Sequence, residues 1–261
     1  MTKCNKLLAI AALTVAFTQY GCGGGSDNIS SPVTDVQGLY EGVTDKDQKL
    51  SALILDDGSF YAFYWSESDL ERGGLLMGNV KASGGTLSSS DVIDYDLTRS
   101  KTQKVAISAT YAPKDWLNGT SVYPDAGDAS FTFTTRYNAD YERTPALTTI
   151  AGAYTGMTQG LHTSSATEVS VETDGSIAFN SGACRAKGTI APRTSGDVYS
   201  LTLKFDESPS CSYSSQTLTG IAVAAPDDEG IINEGILIVA RAADTSHPLL
   251  FEGTVPSSVR G

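Results

Sequence analysis

The chain has 261 residues, a mass of 27.4 kDa and a formal net charge of −12, with 40% apolar and 18% charged residues. This apolar fraction is sufficient for a packed core and excludes a wholly disordered chain. Because contacts with a phosphate backbone need clustered lysine and arginine, the acidic composition argues against a nucleic-acid partner.

The first 21 residues have the pattern of a signal peptide. Lys3 and Lys6 precede an apolar stretch at positions 7–17, and no acidic residue occurs before Cys22. The stretch is too short to cross a bilayer core of about 30 Å as a helix, but it matches the apolar region of a secretory signal. A buried N-terminal helix, the alternative, agrees poorly with lysines before the stretch and glycines after it. The sequence therefore predicts export and removal of residues 1–21.

The residues around Cys22 resemble the cleavage site of bacterial lipoproteins. Gly21 supplies the small residue before the modified cysteine, although Gln19 stands where an aliphatic residue is usual. The resemblance implies that Cys22 is lipidated and that, with Gly23 after it, the protein is anchored in the outer membrane, on its periplasmic or its surface face. Two or more acyl chains give stable attachment; ordinary cleavage and release is the alternative. Residues 22–35, rich in Gly, Ser, Asn and Pro, are predicted to be a flexible tether.

Two short motifs occur twice in the same order. The sequence GLYEG at 38–42 is matched by GAYTG at 152–156, and DGS at 57–59 is matched by DGS at 174–176. Matches in one order at nearly equal offsets indicate an internal duplication.

The repeat predicts two β domains after the tether, residues 36–146 and 147–261. The link between them covers residues 138–150, where Pro145 interrupts strand pairing.

Apolar and polar residues alternate within both halves, as expected of strands with one buried and one exposed face. The alternation is clear at 105–111, 131–134 and 199–205, and the repeated Asp-Gly pairs have the chemistry of hairpin turns. We therefore predict an all-β protein with two tandem antiparallel meander domains. Small calycin-like barrels are favoured over β-sandwiches, and one sheet shared by both halves is a third alternative.

The segment 60–65, FYAFYW, is the most unusual part of the chain. On a strand, Tyr61, Phe63 and Trp65 face one side, and the opposite side is also largely aromatic. Such a strand is either packed between the two halves or presents an aromatic face to a protein or saccharide partner. With Trp116 from a predicted loop, Tyr61, Phe63 and Trp65 form the candidate binding surface.

The mature second half contains two cysteines, Cys184 and Cys211, in a chain predicted to enter an oxidising compartment. We predict that they form a disulfide. A metal site built on the same pair is the alternative, but neither has a nearby histidine or a CxxC spacing.

We predict no catalytic residue, no metal site and no cofactor. His162 and His247 lie in Ser/Thr-rich loops without a G-x-S-x-G or S-x-x-K motif. A hydrolase built on paired carboxylates would draw on the acids near the aromatic segment, and acidic loops could hold calcium, although none has the EF-hand pattern. The first group is Asp56, Asp57, Glu67, Asp69 and Glu71; the calcium candidates are Asp91, Asp94, Asp96, Asp125, Asp128, Asp227, Asp228 and Glu229.

Together, the signal and the G-x-Y-x-G and D-G-S halves resemble proteobacterial outer-membrane lipoproteins with short β repeats. These motifs are structural, so the resemblance implies no catalytic residue. Our leading hypothesis is a non-enzymatic, lipid-anchored module of the cell envelope that binds a protein or saccharide. The alternatives are a small-ligand carrier that uses a barrel lumen and, third, the carboxylate-based hydrolase.

Overall fold

The computed structural model describes residues 35–66, 72–126, 129–225 and 235–256. These residues form two antiparallel β-barrels in tandem, which confirms the predicted all-β fold with two barrel domains. Both barrels belong to one compact unit. The predicted signal peptide, Cys22 and the tether up to residue 34 lie outside the described residues.

The first barrel closes because its first and last strands pair. Each strand lies antiparallel to its neighbours, β1 pairs with β9, and β4 pairs with β6, while the short β5 extends the sheet beside β6. The strands are β1 (Gly38–Thr44), β2 (Gln48–Ile54), β3 (Ser59–Ser66), β4 (Arg72–Asn79), β5 (Lys81–Ser83), β6 (Thr86–Asp96), β7 (Lys101–Ala112), β8 (Trp116–Val122) and β9 (Phe131–Asn138).

The second barrel is an uninterrupted eight-stranded meander that is closed by pairing of its first strand with its last. Closure removes the free sheet edges through which barrels of this kind would otherwise pair with other strands. The strands are β10 (Gly152–Gln159), β11 (Ser164–Val171), β12 (Ser176–Ser181), β13 (Cys184–Pro192), β14 (Tyr199–Phe205), β15 (Thr217–Ala225), β16 (Gly235–Ala242) and β17 (Pro248–Thr254).

A short connection with two helical turns joins the barrels. A 3₁₀ turn covers Ala139–Glu142 and helix α1 covers Leu147–Ile150, with Pro145 between them. Strand β9 thus ends at the first residue of the predicted link, and β10 begins two residues after its last, while the domain division between residues 146 and 147 stays a prediction. No helix in the described part of the chain is long and apolar enough to cross a membrane.

Side chains fill the barrel interiors, because every second residue of a strand faces inward. Tyr40 and Phe133 belong to the core of the first barrel, and Phe179 and Phe251 to that of the second. The first core retains a cavity of only about 10 Å³, which is at the lower limit of the space that one water molecule needs.

The two G-x-Y-x-G motifs occupy equivalent first strands. In each, the tyrosine hydroxyl donates a hydrogen bond to the carbonyl oxygen four residues before it: Tyr40 to Val36 at 3.0 Å, and Tyr154 to Ile150 at 2.9 Å. Both tyrosines are buried. The tyrosine hydroxyl thereby gives a hydrogen-bond donor to a buried backbone carbonyl that would otherwise lack one.

The two D-G-S motifs form the same turn, which joins the second and third strands of each barrel. Gly58 and Gly175 have φ values of 82° and 83°, which a residue with a side chain rarely adopts. The Asp57 and Asp174 carboxylates accept hydrogen bonds from the serine backbone N–H groups two residues later, at 2.9 and 2.8 Å. The duplication itself stays a prediction.

Cys184 and Cys211 form the predicted disulfide, with their Cα atoms 4.9 Å apart. Cys184 begins β13, and Cys211 lies in the connection from β14 to β15. Tyr213 of the same connection packs on Phe205, with ring centroids 4.9 Å apart. The bridge thereby fixes this connection against the core of the second barrel, a constraint worth about 3 to 4 kcal/mol in the chain-entropy model.

Candidate functional site

Strand β3 carries the aromatic segment, and both of its faces are covered. Phe60 and Tyr64 belong to the core of the first barrel. On the opposite face Phe63 is only 6% exposed, and Tyr61 and Trp65 are partly buried. The strand is therefore packed between the two barrels.

A third apolar cluster, here called the inter-barrel core, joins the outer walls of the two barrels. Hydrogen bonds also cross this contact: the Tyr95 hydroxyl donates to the Thr245 carbonyl at 2.7 Å, and Arg241 Nη1 donates to the Met77 carbonyl at 3.1 Å. The buried members of the cluster are Leu53, Leu55, Phe63, Leu75, Met77, Tyr95, Tyr141, Val198, Ile221, Val239 and Leu250.

Beside the inter-barrel core the two walls separate and leave a cleft of about 620 Å³, which we call the inter-barrel cleft. This volume is within the usual range for ligand pockets. The lining residues are Leu39, Glu41, Ser51, Leu53, Phe63, Trp65, Asn138, Asp140, Tyr141, Arg143, Asp197, Val198, Ile221, Val223, Ala224, Ala225, Leu237, Val239 and Glu252.

Strand register explains how each barrel supplies one wall of the cleft. On the first barrel, Glu41, Ser51 and Phe63 lie side by side on β1, β2 and β3. On the second, Val223, Leu237 and Glu252 lie side by side on β15, β16 and β17. Because residues two apart on a strand share a face, each wall continues along the strands with further residues of the lining.

Polar groups cluster at the end of the cleft that the inter-barrel connection forms. Asn138 Nδ2 donates to Glu41 Oε2 at 3.0 Å, and Arg143 pairs with Asp140 at 2.7 Å.

Asp197 differs from the paired carboxylates of Glu41 and Asp140, because its buried Oδ1 has no hydrogen-bond donor among the described residues. Its backbone N–H donates to the Tyr141 carbonyl at 2.9 Å, which fixes the residue beside the connection. Burial raises the pKa of the Asp197 carboxyl, and Arg143 partly opposes that shift.

Apolar surface extends past the cleft on both sides. Among the described residues, the exposed large hydrophobic side chains are Val43, Val122 and Met157, each 44 or 45% exposed. Val43 lies in the row of the first barrel that also contains Lys49 and Trp65, and Met157 lies opposite Glu252 on the second barrel. Val43 and Met157 thus form the two lips of the cleft.

The structure brings together two of the four residues predicted as a binding surface. Phe63 and Trp65 line the cleft, whereas Tyr61 packs farther along the inter-barrel contact and is not part of the lining. Trp116 begins β8, opposite Ala112 and Arg136, and is likewise outside the lining. A binding role for these residues stays a prediction.

Sequence reasoning missed the wall that the second barrel contributes. Val223 and Leu237 belong to the segments GIAVAA and GILIVA, in which both alternating positions are apolar. A strand that is apolar on both faces is covered on both faces. This signal could have predicted a second contact surface, although not its partner.

The acids on β6 that were considered for calcium have separate partners. The Tyr64 and Tyr123 hydroxyls donate to the Asp94 carboxylate at 3.1 and 2.8 Å, and Asp96 pairs with Arg99 at 3.0 Å. Asp94 is 3% exposed, and burial raises the pKa of its carboxyl to about 6 although the tyrosine hydrogen bonds oppose the shift.

Elsewhere, Asp91 accepts a hydrogen bond from Ser89 Oγ at 2.9 Å, and Asp125 is exposed. In the described part of the chain, no three His, Cys, Asp or Glu side chains meet as a metal site. The remaining calcium candidates, Asp128, Asp227, Asp228 and Glu229, lie outside the described residues.

The carboxylates considered for hydrolysis are engaged where the structure describes them. Asp56 and Asp57 both contact the Arg193 guanidinium, the second at 3.0 Å, and these ion pairs link the two barrels. Glu67, Asp69 and Glu71 lie outside the described residues.

Neither histidine has the surroundings of a nucleophile–base pair. His162 is exposed in its loop. The His247 ring contacts Ser246 and Gln216, but Ser246 Oγ itself donates to Asp244 at 2.7 Å. A catalytic triad needs the imidazole between the hydroxyl and the carboxylate, whereas here the hydroxyl lies between the other two.

No protein-family model matches the chain, and no curated protein matches it. Solved structures with some likeness include a crystal structure described as that of a candidate outer membrane protein from Bacteroides fragilis, with a TM-score of 0.25 and 15% identity over 84% of this chain and 96% of that one. Another is the isotype 1 transferrin binding protein B from serogroup B Neisseria meningitidis, with a TM-score of 0.33 and 9% identity over 80% of this chain and 66% of that one. Because both TM-scores are below 0.5, we infer nothing about function from either structure.

Proposed function

We propose that this protein is a lipid-anchored, non-enzymatic module of the bacterial cell envelope that binds another macromolecule in the inter-barrel cleft. The observation that carries the proposal is the cleft itself. Its walls are apolar, polar groups converge at one end, and Phe63 and Trp65 come from the strand with the strongest binding signal in the sequence. Aromatic side chains beside desolvated apolar surface are typical of protein interfaces.

The alternatives find less support. A carrier that uses a barrel lumen needs space there, but the core of the first barrel leaves a cavity of about 10 Å³, and buried side chains, Phe179 and Phe251 among them, form a core within the second. A hydrolase that uses Asp56 and Asp57 would need them beside a substrate, but both contact Arg193 in the contact between the barrels. Binding between the barrels agrees with both observations.

We also propose that the two barrels arose by duplication of one barrel. The equivalent tyrosine hydrogen bonds of Tyr40 and Tyr154 and the equivalent turns at Gly58 and Gly175 support this origin. In this view, the cleft formed when the outer walls of two similar barrels became apolar and packed together.

The anchor is tested by Cys22→Ser. We expect this variant to move from the outer-membrane pellet to the soluble periplasmic fraction, because a thiol is required for attachment of the lipid chains that hold the protein at the bilayer. Cys4→Ser is the matched control, since Cys4 precedes the predicted cleavage site. An unchanged membrane fraction for Cys22→Ser would end the proposal of a lipid anchor at this residue.

The cleft is tested by photo-cross-linking in cells. We expect p-benzoylphenylalanine in place of Leu237, on the cleft wall, to give a discrete cross-linked adduct, and the same group in place of Val122 to give none. Val223→Lys should weaken the adduct, because it places a charge on the apolar wall, whereas Val122→Lys should not. Equal adducts at both positions, or none at Leu237, would contradict binding in the cleft.

A further inference from the structure

We infer that the occupant of the inter-barrel cleft is an extended polypeptide segment of a partner protein that carries lysine or arginine between apolar side chains. This inference rests on the proposed function and names the chemical class of the partner. Three properties of the cleft carry it: the apolar walls, the sign of the charges, and the apolar lips.

The walls favour a ligand with apolar surface. Phe63, Ile221 and Val239 are buried at the base, and Trp65, Val223 and Leu237 are only partly buried and so retain surface that a ligand can cover. Removing this surface from water is favourable in proportion to its area. A wholly polar ligand would lose its hydrogen bonds to water and would find no replacement partners on these apolar walls.

The charges select a basic group. Among the described residues that line the cleft there are four carboxylates, on Glu41, Asp140, Asp197 and Glu252, and a single guanidinium, on Arg143, which pairs with Asp140. Apolar walls raise the effective strength of such charges by excluding water. An acidic segment would therefore be repelled, and a basic one attracted.

Asp197 marks the point of recognition. Its buried Oδ1 lacks a donor among the described residues, which is unfavourable, while the residue as a whole is only partly buried and lines the cleft. A lysine or arginine side chain of the partner supplies both the donor and the opposite charge, and such charge-assisted hydrogen bonds are stronger than neutral ones. The apolar stem of either side chain also fits the walls.

The lips favour a polypeptide over a small cation. Val43, two residues from Glu41 on β1, and Met157, opposite Glu252, expose apolar surface next to lining residues of the two barrels, so apolar surface that a ligand can cover continues beyond the cleft on both. Both barrels are closed, and in the part of the chain that the structure describes the sheet continues past closure only at the three-residue β5. Recognition therefore proceeds through side chains in the cleft and not through addition of a strand to a sheet edge.

The experiment measures fluorescence anisotropy of a labelled peptide with the lipid-anchored protein in nanodiscs of zwitterionic lipid, and empty nanodiscs give the background. The probe is a short peptide that alternates leucine with lysine, and its counterpart has glutamate in place of each lysine. We expect the lysine peptide to bind at least about tenfold more tightly than the glutamate peptide, and less tightly at high salt.

Two variants locate the charge. Asp197→Asn should weaken binding of the lysine peptide about tenfold. If that variant fails to fold, Glu41→Gln, which alters an exposed carboxylate of the cleft, should weaken binding about threefold. Glu168→Gln on β11 is the matched control, because Glu168 is exposed and outside the cleft lining, and it should leave binding unchanged.

Equal affinities for the two peptides, or an Asp197→Asn variant that folds and keeps full affinity, would overturn the inference. A persisting adduct at Leu237 would then leave the proposed function in place, because the cleft would still bind a partner of other chemistry. Loss of both the adduct and the peptide binding would remove the proposed function as well.

Discussion

Replacing Phe63 with alanine is expected to lower the free energy of unfolding by about 3 kcal/mol, as large-to-small changes in well-packed cores do. Phe63 is 6% exposed on the outer face of β3 and belongs to the inter-barrel core. Loss of the phenyl ring leaves a cavity between the two barrel walls. The hydrogen-bonded strands of each closed barrel keep those walls from moving together to fill it. Equilibrium unfolding in urea, followed by circular dichroism, measures the change.

Val122→Ala is the matched control, because Val122 is 44% exposed and lies on β8, away from the inter-barrel core. We expect it to change the free energy of unfolding by less than about 0.5 kcal/mol. Trp65→Ala should cost less stability than Phe63→Ala, since Trp65 is only partly buried, but it should weaken the Leu237 adduct. A loss below about 1 kcal/mol for Phe63→Ala would mean that the second barrel does not cover the outer face of β3.

The strand faces were predictable from the sequence, and their partners were not. Alternation within residues 60–65 correctly separates Phe63 and Trp65 from Phe60 and Tyr64. The pattern shows only that both faces of this strand are suited to burial. Whether a face meets another barrel or solvent depends on contacts between segments far apart in the chain, such as Phe63 with the walls around Ile221 and Val239, and local periodicity does not encode such pairing.

The same limit of prediction from sequence applies to the candidate site. Phe63 and Trp65 were found because aromatic residues are conspicuous on a strand. Asp197 was not found, because a single aspartate after a Ser-Gly turn has the pattern of a solvated loop residue. Its backbone N–H donates to Tyr141 in the connection between the barrels, and no feature of its local sequence predicts that bond.

The glycines of the repeated motif give the second prediction. Gly156→Ala should lower the free energy of unfolding by about 3 kcal/mol or more, whereas Gly152→Ala, in the same strand and motif, should be nearly neutral. A methyl group on Gly156 would lie 1.9 Å from the Glu252 carbonyl oxygen, while one on Gly152 would approach no atom closer than 3.8 Å. Thermal and urea unfolding of the two variants provide the comparison.

The reason lies in how the barrels close. Gly156 pairs with Gly253 where β10 meets β17, and Gly42 pairs with Thr135 where β1 meets β9, so each glycine lies at the contact between the first and last strands of its barrel. A methyl group on Gly42 would also lie 1.9 Å from a backbone oxygen, that of Thr134. Only a residue without a side chain permits this approach, and Gly42→Ala should therefore match Gly156→Ala. If Gly156→Ala were tolerated as well as Gly152→Ala, the close approach of strands would not be what the motif provides, and the recurrence of its second glycine would need a different physical cause.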